Sequence, residues 1–262
     1  MSKSKKERTV EIQKSLETRA KYPISYFDSR KYIQHNVNLA DGLGAILAFM
    51  DALPADRTKV DVLRAFEDGD FSVAHADYEL GDWGRMVGFE IHRWENDRIV
   101  EHWDNLQAKP SSPNTSGRTM TDGASEVTDI ERTDDNKALI EQFTIEILIT
   151  QQIEKAGVFF KGNELIQHSP LYGDGLDALL EVLRAAVRDK TGPEYIRLHK
   201  ILGEGNLVLA ISEGTTGKQG QTRQPAAFYD LYRLESNAIA EHWEAIEIIP
   251  PRETWQNDNG KF

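Results

Sequence analysis

The chain has 262 residues, enough for one large domain or two ordinary ones. Its 43 acidic and 31 basic side chains give a formal net charge of −12. Such a field repels phosphate, so we expect no nucleic-acid partner and no anionic membrane partner. The sequence has no run of 18 apolar residues, which excludes a transmembrane helix. It also has no cysteine, which excludes disulfides, thiolate metal sites and a cysteine nucleophile.

The first eight residues are rich in lysine, and no apolar stretch follows them. This pattern predicts a frayed tail rather than a secretory signal, so a cytoplasmic location is expected. The first helix predicted from apolar spacing covers residues 43–50. Three strands are then predicted at 71–78, 87–94 and 98–107, with Asn96-Asp97 as the tight turn between the last two.

A segment rich in Pro, Ser, Asn and Gly follows at residues 110–126 and is predicted to be a linker. Beyond it, Asp134 and Asp135 are N-cap candidates for a helix, and residues 177–187 show a second amphipathic helical pattern. Ser236-Asn237 marks another hairpin between two strand patterns. Helices that precede an antiparallel meander indicate the α+β class.

The chain contains an internal repeat. Residues 89–104, FEIHRWENDRIVEHWD, recur at 229–244 as YDLYRLESNAIAEHWE, and an Ile-Gln-His triplet precedes each block at 33–35 and 166–168. Because the blocks keep their order, the sequence predicts two copies of one domain. The boundaries are domain 1 at 1–109, the linker at 110–126 and domain 2 at 127–262.

Four side chains are candidates for proton-transfer chemistry. Side chains alternate faces in a strand, so His102 and Asp104 share one face among aliphatic neighbours. His75 interrupts an apolar row in an earlier strand, and His35 follows the helical portion. The four also have the ligand types of a two-histidine, one-carboxylate metal site. They are dispersed along the chain, however, and no metal is expected.

The segment 32–36, the strand through His75 and the hairpin that ends at Asp104 resemble the SnoaL-like branch of the NTF2-like superfamily. The resemblance implies that each copy is a cone, in which a curved antiparallel sheet surrounds helices and a deep apolar pocket. The two cones are expected to form an intramolecular pseudo-dimer that buries the outer-face Trp103 and Trp243. A further homo-oligomer is left open.

The same resemblance implies roles for individual residues. Asp104 matches the acid/base aspartate of the polyketide cyclases, and His75 and His35 are expected to be catalytic orienting groups. The expected substrate-binding residues are His102, Tyr32 and Trp94. A carboxylate that is desolvated in an apolar cone becomes a stronger base, which favours proton abstraction.

The second copy departs from this pattern. Glu244 replaces Asp104, and Ile211 stands near the position of His75. We therefore expect the first copy to hold the better-equipped site.

The resemblance implies a lyase, isomerase or cyclase that needs no metal or organic cofactor. Its partner would be a small or medium apolar carbonyl or hydroxy compound, converted by aldol or retro-aldol proton transfer. The alternative is a module that binds an apolar ligand, or serves as a scaffold, without catalysis. A metal-dependent enzyme is the third hypothesis.

Overall fold

The computed structural model describes residues 3–218 and 220–262. The chain divides into a first unit, made of residues 1–109 and 250–262, and a second unit, made of residues 110–249. Each unit combines helices with one five-stranded sheet, which confirms the α+β class. Within the described residues, no helix has the length and apolar character needed to cross a membrane.

The first unit has two α-helices and five strands, with the sheet order β1-β5-β4-β3-β2. Its elements are α1 (Lys5–Thr18), β1 (Ile33–Gln34), α2 (Leu43–Ala52), β2 (Thr58–Asp68), β3 (Phe71–Leu80), β4 (Arg85–Glu95) and β5 (Arg98–Ala108). β1 runs parallel to β5, and the other neighbours are antiparallel. Asn96 and Asp97 both have positive φ angles and form the predicted tight turn between β4 and β5.

The second unit repeats this plan, with the sheet order β6-β10-β9-β8-β7. Its elements are α3 (Thr133–Phe143), β6 (Ile166–Gln167), α4 (Leu176–Asp189), β7 (Gly192–Glu204), β8 (Leu207–Gly217), β9 (Gln224–Glu235) and β10 (Ala238–Ile248). A π-helical turn, Thr144–Ile149, continues α3. The two predicted helices and the Ser236-Asn237 hairpin are confirmed. The predicted N-caps are wrong, because Arg132 occupies the N-cap of α3 and Asp134 and Asp135 lie in its first turn.

The N-terminal segment is ordered from the start of α1, so the predicted frayed tail is wrong for residues 4–8. Ser4 and Glu7 form a capping box, in which the Ser4 Oγ accepts from the Glu7 amide and the Glu7 carboxylate accepts from the Ser4 amide. The buried Ile12 and Gln13 then attach the helix to the unit. Met1 and Ser2 lie outside the described residues.

The boundaries of the two units differ from the predicted domain boundaries, because the segment that follows the last strand of each sheet belongs to the other unit. Residues 250–262, here called the second tail, lie in the first unit, and residues 110–126 lie in the second unit. Asn257 of the second tail donates its side-chain amide to the carbonyls of Asn36 and Leu39, 2.8 and 2.9 Å away. In the second unit, Asn114 makes the equivalent bonds. These bonds attach each segment to its unit by pairing backbone carbonyls with a side-chain amide.

Candidate functional site

Each sheet has an inner face, which packs against the helices of its own unit and carries buried acids and histidines. In the first unit the pairs across β4 and β5 are Glu90 with Asp104 and His92 with His102. In the second unit the pairs across β9 and β10 are Asp230 with Glu244 and Tyr232 with His242. All eight side chains are buried.

A hydrogen-bonded chain of glutamine, histidine and acid crosses the inner face of the first unit. Gln34 Oε1 accepts from the Asn36 amide at 2.8 Å, which fixes the orientation of the side-chain amide. The same oxygen lies 2.9 Å from His102 Nδ1, so this nitrogen carries a proton. His102 Nε2 lies 2.7 Å from Glu90 Oε2. Burial lowers the pKa of His102, but the hydrogen bond and charge of Glu90 outweigh burial and raise it overall.

The second unit contains the same chain. Gln167 Oε1 accepts from the Ser169 amide and from His242 Nδ1, both at 2.9 Å. His242 Nε2 lies 3.0 Å from Asp230 Oδ1, and the Tyr195 hydroxyl donates to the same oxygen at 3.1 Å. The two copies therefore hold one buried acid in the same way.

The other acid of each pair is held differently in the two units. Asp104 accepts from the Asn36 side-chain amide at 2.6 Å, and its Oδ1 lies 3.5 Å from the Nζ of Lys261 in the second tail. Lys261 is 2% exposed. An ammonium group therefore balances the buried carboxylate of Asp104.

Glu244 has no such cation partner among the described residues. The Ser169 hydroxyl donates to its Oε1, and the Tyr172 hydroxyl donates to Oε2 over a long 3.4 Å. Burial raises the pKa of Glu244 to about 7, and the charge of Asp230 adds to this while His242 opposes it. Glu244 consequently holds and releases a proton near neutral pH.

A narrow apolar cavity in the second unit is lined by Tyr172 and His242, the hydrogen-bond partners of Glu244 and Asp230, but by neither acid itself. Its lining residues include Phe143, Leu148, Phe160, Leu179, Gln167, Tyr172, Tyr195, Tyr232 and His242. The space open to the centre of a water molecule is about 20 Å³. A wider pocket of about 260 Å³ shares Leu148, Leu183, Pro193 and Tyr195 with this cavity. Burial raises the pKa values of Tyr172 and Tyr195 well above the usual range, so both hydroxyls remain protonated donors.

The structure does not bring His75 to Asp104. His75 pairs with Phe89 across β3 and β4, whereas Asp104 pairs with Glu90, so the two side chains lie on opposite faces. The imidazole stacks on Phe89 at 4.5 Å, and its Nδ1 lies 3.1 Å from an Arg64 nitrogen. The prediction that His75 shares a pocket with Asp104 is therefore wrong.

His35 also lies away from Asp104, on the outer face. Its Nε2 lies 2.9 Å from Glu101, its ring stacks on Trp103 at 4.5 Å, and its Nδ1 contacts the Gly260 carbonyl at 2.9 Å. His168 makes the same three kinds of contact in the second unit, with Glu241, Trp243 and Thr119. His35 therefore attaches the second tail, contrary to its predicted place in the Asp104 pocket.

The three predicted substrate-binding residues do not all lie together. Tyr32 accepts a hydrogen bond from the Gln34 side chain at 3.2 Å, so it joins His102 in the polar cluster. Trp94 instead donates to Ser72 at 2.7 Å and packs in the core with Tyr26. Sequence reasoning missed Glu90 and Asp230, although both occupy the same position of the repeat, on the face of a histidine or tyrosine two residues later.

Among the described residues, two groups of side chains have donors arranged closely enough for a metal ion. They are Glu90, His92 and His102 in the first unit and Asp230, His242 and Glu244 in the second, with ligand atoms within 4.8 Å of one another. A metal would have to replace the proton between each histidine and its acid, since that histidine nitrogen faces a carboxylate. The dispersed set around His35 and His75 is not brought together.

No protein-family model matches this chain, and no curated protein matches it. Solved structures are similar over the length of one unit. An LEH-like epoxide hydrolase from M. tuberculosis has 14% identity and a TM-score of 0.37, and the alignment covers 44% of this chain and 85% of that one. An NTF2-like protein from Burkholderia xenovorans has 17% identity and a TM-score of 0.36, covering 44% and 91%. A cystatin-like fold from Xanthomonas campestris has 17% identity and a TM-score of 0.37, covering 42% and 89%.

Proposed function

We propose that the second unit is an acid/base enzyme of the lyase, isomerase or cyclase type that needs no cofactor. Its substrate is an apolar carbonyl or hydroxy compound bound beside Glu244. The observation that carries this proposal is the buried Glu244, whose pKa burial raises to about 7 and whose hydrogen-bond partner Tyr172 lines an apolar cavity. A group that is half ionised near neutral pH serves as both proton acceptor and proton donor.

The geometry supports a specific sequence of proton transfers. In a retro-aldol reaction, ionised Glu244 removes the proton of a β-hydroxyl group, the carbon–carbon bond breaks and its electrons form an enolate. Protonated Glu244 then returns the proton to the enolate carbon. The enolate oxygen needs donors, and Gln167 lines the cavity with an Nε2 that has no hydrogen-bond partner among the described residues. The Tyr172 hydroxyl, which also lines the cavity, becomes the second donor once it leaves Glu244 Oε2, its acceptor at 3.4 Å.

Asp104 stays a predicted catalytic base of the first unit. The charge balance favours Glu244, because Asp104 already faces the ammonium of Lys261 and an amide of Asn36. Each oxygen of Asp104 therefore already has a partner that a substrate would have to displace.

The second candidate function is binding of an apolar ligand without catalysis. The narrowness of the cavity favours it, since only about 20 Å³ is open to the centre of a water molecule and the room is that of a small group. A ligand larger than this has to enter through the wider pocket and displace side chains.

A substrate screen with paired variants tests the proposal. Wild-type protein, Glu244→Gln and Asp104→Asn are assayed against β-hydroxy-carbonyl compounds and aromatic diols. We expect Glu244→Gln to lower kcat by roughly 10²-fold or more and Asp104→Asn to change it far less. Loss of turnover only in Asp104→Asn would show that the active site is in the first unit. Binding of these compounds to the wild type without turnover would favour the second candidate.

A further inference from the structure

The inner face of the first unit brings two imidazoles and one carboxylate together. Glu90 and His92 lie two residues apart on β4 and share a face, and His102 lies directly opposite His92 on β5. One ligand atom of each side chain lies within 4.8 Å of the other two, and all three residues are buried. Two histidines and one carboxylate are a ligand set that binds divalent transition metals in proteins.

Both histidines of this group are held by a hydrogen bond at Nδ1. His102 Nδ1 donates to Gln34 Oε1 at 2.9 Å, and His92 Nδ1 lies 3.2 Å from Thr9 Oγ1. Within the described residues this is the only hydrogen bond of His92, although the residue is 1% exposed, so its Nε2 is available to a ligand. A buried ring nitrogen gains free energy when it finds such a partner. A hydrogen bond at the opposite ring nitrogen is also what orients a histidine that binds a metal.

Glu90 supplies the third ligand atom. Its Oε1 accepts from the Tyr78 hydroxyl at 3.2 Å, and its Oε2 lies 2.7 Å from His102 Nε2. This short contact needs one proton between Nε2 and Oε2, and a divalent ion that takes its place releases that proton. The side chains of His102 and Glu90 keep 9% and 11% of their exposure, so an ion can reach them from solvent.

The second unit does not repeat this ligand set. Tyr232 stands opposite His242, at the position equivalent to His92, and its ring stacks on that histidine at 4.7 Å. The acids and histidine that lie close together there therefore include one imidazole instead of two. Because imidazole nitrogens suit zinc and iron better than they suit magnesium or calcium, a transition-metal site is favoured in the first unit.

We propose that Glu90, His92 and His102 form a binding site for a divalent transition-metal ion such as Zn²⁺, with Glu90 Oε2 and the Nε2 atoms of both histidines as ligands. Three protein ligands leave the fourth position of a tetrahedral Zn²⁺ open to water or to a bound molecule. Thr9 and Gln34 are positioning residues, which orient the two imidazoles through Nδ1. The site lies in the first unit and does not use the carboxylate of the proposed function, so it goes beyond that function.

Calorimetric titration of the tag-free full chain with ZnCl₂ at pH 7.5, after treatment with EDTA, tests the proposal. We expect Zn²⁺ to bind with the release of about one proton per ion, measured in two buffers of different ionisation enthalpy. Thr9→Val removes only the hydrogen-bond partner of His92 and should weaken binding by about tenfold or more. Glu90→Gln and His92→Gln each remove a ligand and should weaken binding by roughly 100-fold or more.

His199→Gln is the matched control. It removes a histidine that also lies next to a carboxylate, 2.9 Å from Glu213, but belongs to the second unit and is 18% exposed. This variant should bind Zn²⁺ as the wild type does. Circular dichroism and melting temperature establish that the variants are folded. If His92→Gln does not fold, Glu90→Gln decides the test, because glutamine keeps the shape of the acid and removes its charge.

Three results would overturn the proposal. The first is a wild-type chain that binds no Zn²⁺, and the second is unchanged binding in Glu90→Gln. The third is binding that releases no proton or is lost in His199→Gln, which would identify an adventitious ion on the surface.

Discussion

Lys261 forms an ion pair with Asp104, with the Nζ 3.5 Å from the Oδ1 and both side chains buried. The equivalent Glu244 has a pKa raised to about 7 by burial. The two copies thus balance a buried carboxylate in different ways, one with an ammonium group and the other with a proton. This difference is the basis of the predictions that follow.

Replacement of Lys261 by methionine is expected to destabilise the first unit. The change leaves Asp104 buried without its cation, and breaking a buried ion pair typically costs about 3–5 kcal/mol. Urea denaturation of Lys261→Met measures the loss. The double variant Lys261→Met with Asp104→Asn should regain much of the stability, since it removes the unbalanced charge. Equal stability of Lys261→Met and wild type would show that the ion pair contributes nothing.

Glu244 is expected to make the second unit less stable as the pH rises. Its pKa is about 7 in the folded chain and near 4.5 when unfolded, because burial disfavours the charged form. The stabilising effect is complete below about pH 4.5 and is lost as the pH rises through 7, amounting to about 3 kcal/mol. Glu244→Gln should remove this dependence and be more stable than wild type at pH 8. Urea denaturation at pH 5 and pH 8 measures both, and parallel curves for the two proteins would contradict the prediction.

The dependence of turnover on pH should show the same group. We expect kcat for a turned-over substrate to have an inflection near pH 7, set by Glu244. The charge of Asp230 helps to raise this pKa, so Asp230→Asn should move the inflection to lower pH. Initial rates between pH 5 and 9 measure the shift. An inflection that stays at the same pH, or moves to higher pH, would show that Glu244 does not set the pH dependence of kcat.

The sequence was sufficient to predict the repeat, the hairpins and the shared face of His102 and Asp104, because each depends on local periodicity. The sequence was not sufficient to place His75 relative to Asp104. Alternation gives the face of His75 within its own strand, but only the register between β3 and β4 shows that this face is opposite to that of Asp104. That register is set by contacts distant in the sequence.

The second tail illustrates another limit of prediction from the sequence. Lys261 and Asn257 contact residues more than a hundred positions earlier, and neither lies in a periodic pattern. His35 was predicted to be a catalytic orienting group, yet its partners include a carbonyl of the second tail. Glu90 was within reach of sequence reasoning, because alternation places it with His92 and the repeat returns an acid, Asp230, at the same position.

The pKa values of the two neighbouring histidines of the first unit, His92 and His102, should be shifted in opposite directions. Burial lowers the pKa of His92 well below its usual value, and the charge of His102 adds to this. For His102, burial is outweighed by the hydrogen bond and charge of Glu90, so its pKa is raised. We therefore expect a ¹⁵N NMR titration to show that His102 loses its second proton at a higher pH than His92 does.

Glu90→Gln provides the control for this pair. The substitution keeps the shape but removes the charge that holds the His102 proton, so the pKa of His102 should fall below that in the wild type. In the wild type, the stability contributed by the raised pKa is complete below about pH 6.5 and is lost as the pH rises through the folded value. Glu90→Gln should therefore lose stability at pH 6 and differ less from wild type at pH 9, as measured by urea denaturation. A pKa of His102 below its usual value in the wild type, or an unchanged titration in Glu90→Gln, would show that the Gln34–His102–Glu90 chain does not hold a proton.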